Sequence, residues 1–113
     1  MEDFVGVSMK LPKTIKLGPF TFTVHRHQYQ KDKENYFGWF KPSDQTFSIA
    51  DDIHEEAQKE TIAHELLHAA WWLAQLTQDK EVKEHEEKIV AMLSIPLMGI
   101  YKDNPKLKEV LFD

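Results

Sequence analysis

The sequence contains no cysteine, and this absence excludes several kinds of site. Without thiols the chain forms no disulfide, offers no cysteine nucleophile and builds no cysteine-based zinc or iron–sulfur site. Any metal must therefore be held by histidine and carboxylate side chains. The 14 Lys and Arg residues are outnumbered by 19 Asp and Glu, which gives a net charge of −5. Because the basic residues are also scattered, the sequence predicts no nucleic-acid partner.

Long apolar segments are missing as well. No stretch without a charge is longer than Ile89–Tyr101, which is shorter than the about 20 residues that a membrane span needs and contains Pro96. Met1 is followed by Glu2 and Asp3 where a secretory signal would carry basic residues, and no apolar signal core comes after them. We therefore expect a cytoplasmic location and no membrane partner.

What is present fits one globular domain. The 113 residues are enough for a single core, and 42% hydrophobic with 29% charged residues is an ordinary composition for a folded protein. The chain shows neither repeats nor low-complexity tracts, so we predict one domain over residues 1–113. The first ten residues have no clear period and are expected to form an arm.

Alternating apolar and polar residues in the first half predict a small antiparallel sheet. Ile15 and Leu17, then Phe20, Phe22 and Val24, predict two short strands or one bent strand, interrupted by Gly18-Pro19. After a polar loop, the remaining elements are a strand at Tyr36–Phe40, a turn at Lys41–Gln45 and a strand at Thr46–Ala50.

The second half has the period of helices. Asp52 and Glu55 have the spacing of an N-cap and its reciprocal partner, so a helix is expected from there to near Leu76. Thr77-Gln78-Asp79 predicts a break and a new cap. A second helix follows from about Lys80, and Pro96 is expected to kink it or to end it near Ile95. Its predicted apolar stripe comprises Val82, Ile89, Val90, Leu93, Leu97 and Ile100.

A short final helix is expected within Lys106–Phe112, after Asn104-Pro105. The predicted fold class is therefore α+β, with the sheet first and the helices after it.

The first helix carries the pattern HExxH, His64-Glu65-Leu66-Leu67-His68. At about 100° per residue, the two imidazoles lie about 40° apart around the axis and one turn apart along it, so both can reach one tetrahedral ion. Glu65 is turned about 100° from His64, which suits a general base acting on a metal-activated water better than a ligand. The alternative is a pair of histidines hydrogen-bonded inside the core. Two histidines and a glutamate in one buried turn are costly to satisfy without a cation, which favours zinc.

A catalytic zinc needs a third protein ligand. On the second helix, Glu86 falls in the middle of the predicted apolar stripe, where a carboxylate requires a partner. Glu87 falls on the edge of that stripe and His85 further from it, and either replaces Glu86 if the helix is rotated. A Glu-rich first turn favoured by the helix dipole is the alternative explanation of this run. We predict Glu86 as the third ligand, with Glu87 as the main rival.

These features resemble a known group of proteins. The short N-terminal sheet, the line Thr61-Ile62-Ala63-His64-Glu65-Leu66-Leu67-His68-Ala69 and the Glu-Glu pair that opens the next helix look like small phage and bacterial zinc metallopeptidases. That group includes the ImmA/IrrE-type endopeptidases and, more broadly, the gluzincins. The resemblance covers roughly residues 14–105 and is strongest at HExxH.

The resemblance implies a zinc endopeptidase of minimal zincin-like fold acting on a peptide or protein substrate. It implies His64 and His68 as zinc ligands, Glu65 as general base and a glutamate of the 86–87 pair as third ligand. It also implies that an extended peptide binds along an edge strand made of Thr46, Phe47, Ser48, Ile49 and Ala50. Within these 113 residues we expect neither a separate substrate domain nor a helix-turn-helix.

Such an enzyme needs a donor that stabilises the oxyanion. The candidates by chemistry are Tyr29, Tyr36, His25 and His27, while Trp39, Trp71 and Trp72 are expected to serve in packing. Two other functions compete with the hydrolase. One is an accessory binding module that keeps the fold without turnover, and the other is a structural domain whose pentad is accidental. A latent form is a further hypothesis, in which the first thirteen residues cover the cleft.

Overall fold

The computed structural model describes residues 10–29 and 37–112 of the chain. A four-stranded sheet comes first and helices follow, so the α+β class predicted from the sequence is confirmed. The expected N-terminal arm and the polar loop lie almost entirely outside the described residues, and Tyr36 lies outside them as well.

All four predicted strands are present, and their ends agree with the expected positions to within two residues except for the second strand, which continues three residues past Val24. They are β1 (Thr14–Leu17), β2 (Phe20–His27), β3 (Gly38–Lys41) and β4 (Thr46–Ala50). The strand order is β1-β2-β4-β3. The β1–β2 and β3–β4 pairs are antiparallel, as short turns require. The central β2–β4 pair is parallel, so the prediction of a fully antiparallel sheet is wrong.

The prediction that Thr46–Ala50 forms an edge strand is also wrong. The strand β4 lies between β2 and β3 and pairs with both of them. Four of its five residues are fully buried, namely Phe47, Ser48, Ile49 and Ala50, and Thr46 is half-buried. The chain forms β3 outside β4 before it turns back into β4. Among the described strands, β3 therefore forms the edge on this side of the sheet.

The long helix α1 (Glu55–Leu73) packs across one face of the sheet. Phe22 and Phe47 from the sheet and Ala69 from the helix form the centre of the core. Phe40 and Trp72 pack on that core with ring centroids 5.9 Å apart. The expected packing role of Trp72 agrees with this position. The aromatic cluster fixes the helix against the strands on the side where HExxH lies.

The ends of α1 differ from the expected ones. Asp52 does not cap the helix, because its Oδ1 accepts the backbone N–H of Tyr29 at 2.7 Å. His54 occupies the N-cap position, and its side chain forms no capping hydrogen bond. The helix ends at Leu73 rather than near Leu76, and Gln75 takes a left-handed conformation with φ of 61°. A short 3₁₀ turn, Leu76–Gln78, follows.

The new cap at Asp79 is confirmed, since its side chain accepts the backbone N–H groups of Glu81 and Val82. The predicted second helix is divided in two, α2 (Lys80–Lys83) and α3 (Glu86–Asp103). Helix α3 continues through Pro96, which lies on its exposed side, so the alternative of a helix end near Ile95 is wrong. The expected final helix is α4 (Leu107–Phe112).

The predicted apolar stripe of the second helix does not form the core as a whole. Val90 and Ser94 are the buried residues of α3. Ile89, Leu93, Leu97 and Ile100 are exposed, and Val82 is half-buried. Helix α3 therefore carries two apolar sides, of which one faces α1 and the other faces outward. None of the described helices is long and apolar enough to cross a membrane.

Gly38 allows the edge strand to approach α1 closely. A Cβ atom at this position would lie 2.6 Å from Thr61 Cγ2 and 2.8 Å from the backbone oxygen of Ser48. Both distances are shorter than van der Waals contact, so glycine is required here. Thr61 is one turn before His64 in α1. The contact therefore holds the start of β3 directly beside the HExxH turn.

Candidate metal centre

His64 and His68 lie one turn apart on the side of α1 that faces α3. Their Nε2 atoms are 3.2 Å apart, and both side chains are mostly buried. The predicted juxtaposition of the two imidazoles is present. Two ring nitrogens that point at each other share at most one proton between them, so this geometry suits a cation placed between them.

Glu87, in the first turn of α3, completes the cluster. Its Oε1 lies 3.0 Å from His64 Nε2, and its Oε2 lies 2.7 Å from His68 Nε2. One donor atom from each of the three residues falls within 4.8 Å of the others. Carboxylate oxygens only accept hydrogen bonds, so a proton or a metal ion must lie between them and the imidazoles.

Glu86 lies on the other side of the same histidine. Its Oε2 is 2.7 Å from His68 Nδ1, the nitrogen that points away from Glu87. A carboxylate at Nδ1 accepts the proton there and leaves Nε2 free to act as a ligand. The structure therefore gives the two glutamates different positions. Glu87 meets both ligand nitrogens, and Glu86 orients one imidazole, which favours the rival candidate as third ligand.

The donor set fits zinc. Two imidazole nitrogens and one carboxylate, with a fourth position left to water, form a recurring catalytic arrangement. Ligand atoms about 2.0–2.1 Å from a tetrahedral ion lie about 3.3 Å from one another. The distances among the three side chains, 2.7 to 3.2 Å, are slightly shorter than this. A small separation of the side chains would therefore accommodate the ion.

Glu65 lies on the sheet-facing side of α1, next to the cluster, and only 8% of its surface is exposed. Burial raises the pKa of its carboxyl from the usual 4.5 to about 7, His68 opposes this rise, and Glu87 adds to it. Among the described residues it has neither a hydrogen-bond nor an ion-pair partner. A carboxyl with a pKa near neutrality can accept and return a proton, which is what a general base requires.

The cluster stands in the middle of a cleft between β3, α1 and α3. A cavity of about 340 Å³ lies toward the start of α1 and reaches Glu60, Thr61 and Ser94. A second cavity of about 330 Å³ lies toward its end and reaches Trp39, Lys41 and Trp72. His64 and Glu65 line both of them. The cleft therefore continues on both sides of the candidate metal position.

The predicted oxyanion donors are not brought together at this cluster. His25 and His27 lie on the face of the sheet opposite α1, because Phe22, Val24 and Arg26 occupy the other side of the strand. His27 Nδ1 lies 2.6 Å from Ser48 Oγ, and its ring stacks on Trp39. The ring of Tyr29 stacks on Phe37, which lines the first cavity. Tyr36 lies outside the described residues.

Two features of the site escaped sequence reasoning. The first is Gly38, whose close contact with Thr61 sets the cleft, although a glycine inside a predicted strand is a signal of close backbone approach. The second is the divided role of the Glu86–Glu87 pair, which depends on how α3 is rotated against α1. Comparison with protein-family models, curated proteins and solved structures finds no match for this chain.

Proposed function

We propose that this chain is a zinc-dependent endopeptidase. His64, His68 and Glu87 are the proposed ligands, Glu86 orients His68, and Glu65 is the general base. The observation that carries the proposal is the cluster itself. Three ligand atoms from two helices converge beside a buried carboxyl whose pKa is about 7, in the middle of an extended cleft.

Zinc bound at these residues would polarise a substrate carbonyl and lower the pKa of a water molecule toward roughly 7. Glu65 takes the proton from the attacking water and delivers it to the nitrogen of the leaving amine. Its burial suits both steps, because it raises the pKa of the Glu65 carboxyl to about 7, so that this group can both accept and release a proton at neutral pH. Glu86 keeps His68 in the tautomer that presents Nε2.

The substrate is proposed to bind as an extended chain along β3. This strand pairs only with β4 among the described strands, so one row of its backbone groups is available to a peptide. It lies over α1 beside the HExxH turn, and the two cavities lie on either side of that turn. A peptide added to β3 would thus pass Glu65.

The test has two parts. Zinc is titrated into the metal-free protein and followed by calorimetry, and hydrolysis of a mixed peptide library is followed by mass spectrometry. We expect about one zinc per chain, cleavage only in its presence, and a loss of roughly 10²–10⁴-fold in rate for Glu65→Gln, which keeps its zinc. A chain that binds no zinc, or a zinc-bound chain that cleaves no peptide, contradicts the proposal.

A binding module without turnover is the second candidate. It is favoured by the outward apolar side of α3, on which Met92, Leu93, Ile95 and Ile100 are each more than half exposed. Surfaces of this kind often contact other proteins. The two functions separate in the test above, because a binding module would take up zinc or lack it without cleaving any peptide.

A further inference from the structure

The cavity toward the start of α1 has the chemistry of a side-chain pocket. Its volume of about 340 Å³ is in the range of small-molecule pockets, and it opens directly beside His64 and Glu65. Its walls contain small side chains, which leave room for a long substituent. The lining residues include Phe37, Ala57, Glu60, Thr61, Ala91 and Ser94.

This pocket is lined by the carboxyl groups of Glu60 and Glu65 and by the imidazole of His64. Glu60 lies one helical turn before His64, about 6 Å along the axis, and its exposed side chain lines the cavity. Among the described residues it forms no ion pair. The neighbouring Lys59 lines a different groove on the far side of α1. A cation that enters the cavity therefore finds the Glu60 carboxylate, and among the described residues no Lys or Arg side chain lines the cavity.

A second, independent observation concerns a buried hydroxyl. Ser94 is 1% exposed and lines the cavity from α3. Within the described residues its Oγ forms one hydrogen bond, donated to the backbone oxygen of Ala91 at the long distance of 3.5 Å. By contrast, the hydroxyl of Thr61 is well bonded to Ala57 at 2.7 Å. Ser94 thus offers an acceptor that a guanidinium or ammonium group could satisfy.

We propose that this cavity is a specificity pocket for an arginine or lysine side chain next to the scissile bond, which rests on the proposed peptidase function. The aliphatic part of the side chain lies against Ala57 and Ala91, and its charged end meets the Glu60 carboxylate. The exposed ring of Phe37 at the mouth gives a cation a further favourable contact. Because Ala57 and Ala91 would also suit an apolar side chain, the charge of Glu60 decides the preference.

The first test measures binding and needs no hydrolysis. N-acetyl-arginine methylamide and its uncharged analogue N-acetyl-norleucine methylamide are titrated into the zinc-loaded protein and followed by amide chemical shifts. We expect the arginine compound to shift Ala57, Thr61 and Ser94 and to bind more tightly than the analogue. Glu60→Gln should weaken it roughly three- to tenfold. Glu55→Gln, an exposed change on the other side of α1, is the control.

Equal binding of the two compounds, or equal loss in the Glu60 and Glu55 variants, overturns the proposal. The second test maps cleavage positions in a mixed peptide library. Enrichment of Arg and Lys at one position beside the cleaved bond, lost in Glu60→Gln and reversed toward acidic residues in Glu60→Lys, supports the pocket. Cleavage without that enrichment overturns the pocket alone. Absence of cleavage overturns the peptidase function, and the binding test then still decides what the cavity accepts.

Discussion

At the scale of single residues, the proposed chemistry depends on the different contacts that two adjacent glutamates make with the histidines. Glu87 touches the ligand nitrogens of both histidines, whereas Glu86 touches only His68 Nδ1. In the proposed zinc site Glu87 would bind the metal ion directly, and Glu86 would act through the imidazole of His68. Loss of a ligand and loss of an orienting carboxylate differ in size, so the two roles can be separated by measurement.

We expect Glu87→Ala to abolish stoichiometric zinc binding at micromolar concentration, because only two protein ligands remain. Glu86→Gln should keep one zinc per chain with affinity reduced roughly 10–100-fold, since His68 loses its charged partner. Glu84→Gln, a nearby change without contact to either histidine, should match the wild type. Calorimetric titration checks all three variants. Zinc retained by Glu87→Ala and lost by Glu86→Ala would assign the ligand role to Glu86.

Glu65 makes the stability of the metal-free protein depend on pH. Its pKa is about 7 in the folded chain and near 4.5 when solvated, so between these values the folded state holds a proton that the unfolded state has released. The stability contributed by this group is therefore complete below pH 4.5 and falls as pH rises to 7. The loss at pH 8 is on the order of 3 kcal/mol.

Glu65→Gln removes this titration and provides the measurement. We expect the variant and the wild type to have similar free energies of unfolding near pH 4.5, and the variant to be more stable by up to about 3 kcal/mol at pH 8. Urea unfolding in the presence of a chelator gives both values. The other titrating groups are common to the two proteins and, apart from His68 and Glu87, which interact with Glu65, cancel in the difference. A difference that does not change with pH would contradict the raised pKa.

At the scale of secondary-structure elements, local sequence patterns predicted most of the fold. Period-two alternation marked the strands, and Asp79 correctly marked the start of α2. Pairing between distant strands has no local signal, and so the parallel β2–β4 pair and the edge position of β3 were missed. Asp52 was misassigned as a cap because its carboxylate bonds Tyr29 instead, a contact across 23 residues.

The choice between Glu86 and Glu87 shows a similar limit. The prediction of Glu86 as third ligand assumed that every residue of the apolar stripe on the second helix faces the core. In the structure the buried residues of α3 are Val90 and Ser94. Around the helix axis, the midpoint between these two residues lies closer to Glu87 than to Glu86. Ile89 and Ile100 point outward instead. The amphipathic pattern was ambiguous because α3 has apolar residues on two sides.

The glycine of β3 gives a prediction about how elements pack. Gly38→Ala forces a Cβ atom against Thr61 and the Ser48 backbone, so we expect a loss of about 1–3 kcal/mol and a drop in thermal midpoint. Gly99→Ala is the matched control, because its added Cβ meets nothing within 4 Å on helix α3. The control should gain about 0.5–1 kcal/mol. Equal effects of the two changes would show that β3 is not held tightly against α1.

At the scale of the whole molecule, the candidate metal centre connects two parts of the fold, the sheet with α1 and the helix α3, which differ in how many of their side chains are buried. The sheet and α1 share an aromatic core around Phe22 and Phe47. Helix α3 buries only Val90 and Ser94, and its contacts with α1 include the cluster at its first turn. A cation bound by His64, His68 and Glu87 would therefore fix α3 far more than it fixes the sheet.

Amide hydrogen exchange tests this expectation. Zinc stabilises the state that binds it by about 4 kcal/mol when its concentration is about a thousand times the dissociation constant. If α3 opens locally without zinc, its amides should gain protection on zinc addition, while those of β2 and β4 change less. Glu87→Ala should show neither change, since α3 then contributes no ligand. Equal zinc-dependent protection of the sheet and α3 would instead mean that they open together as one unit, and unchanged exchange in both would argue against the cluster as a zinc site.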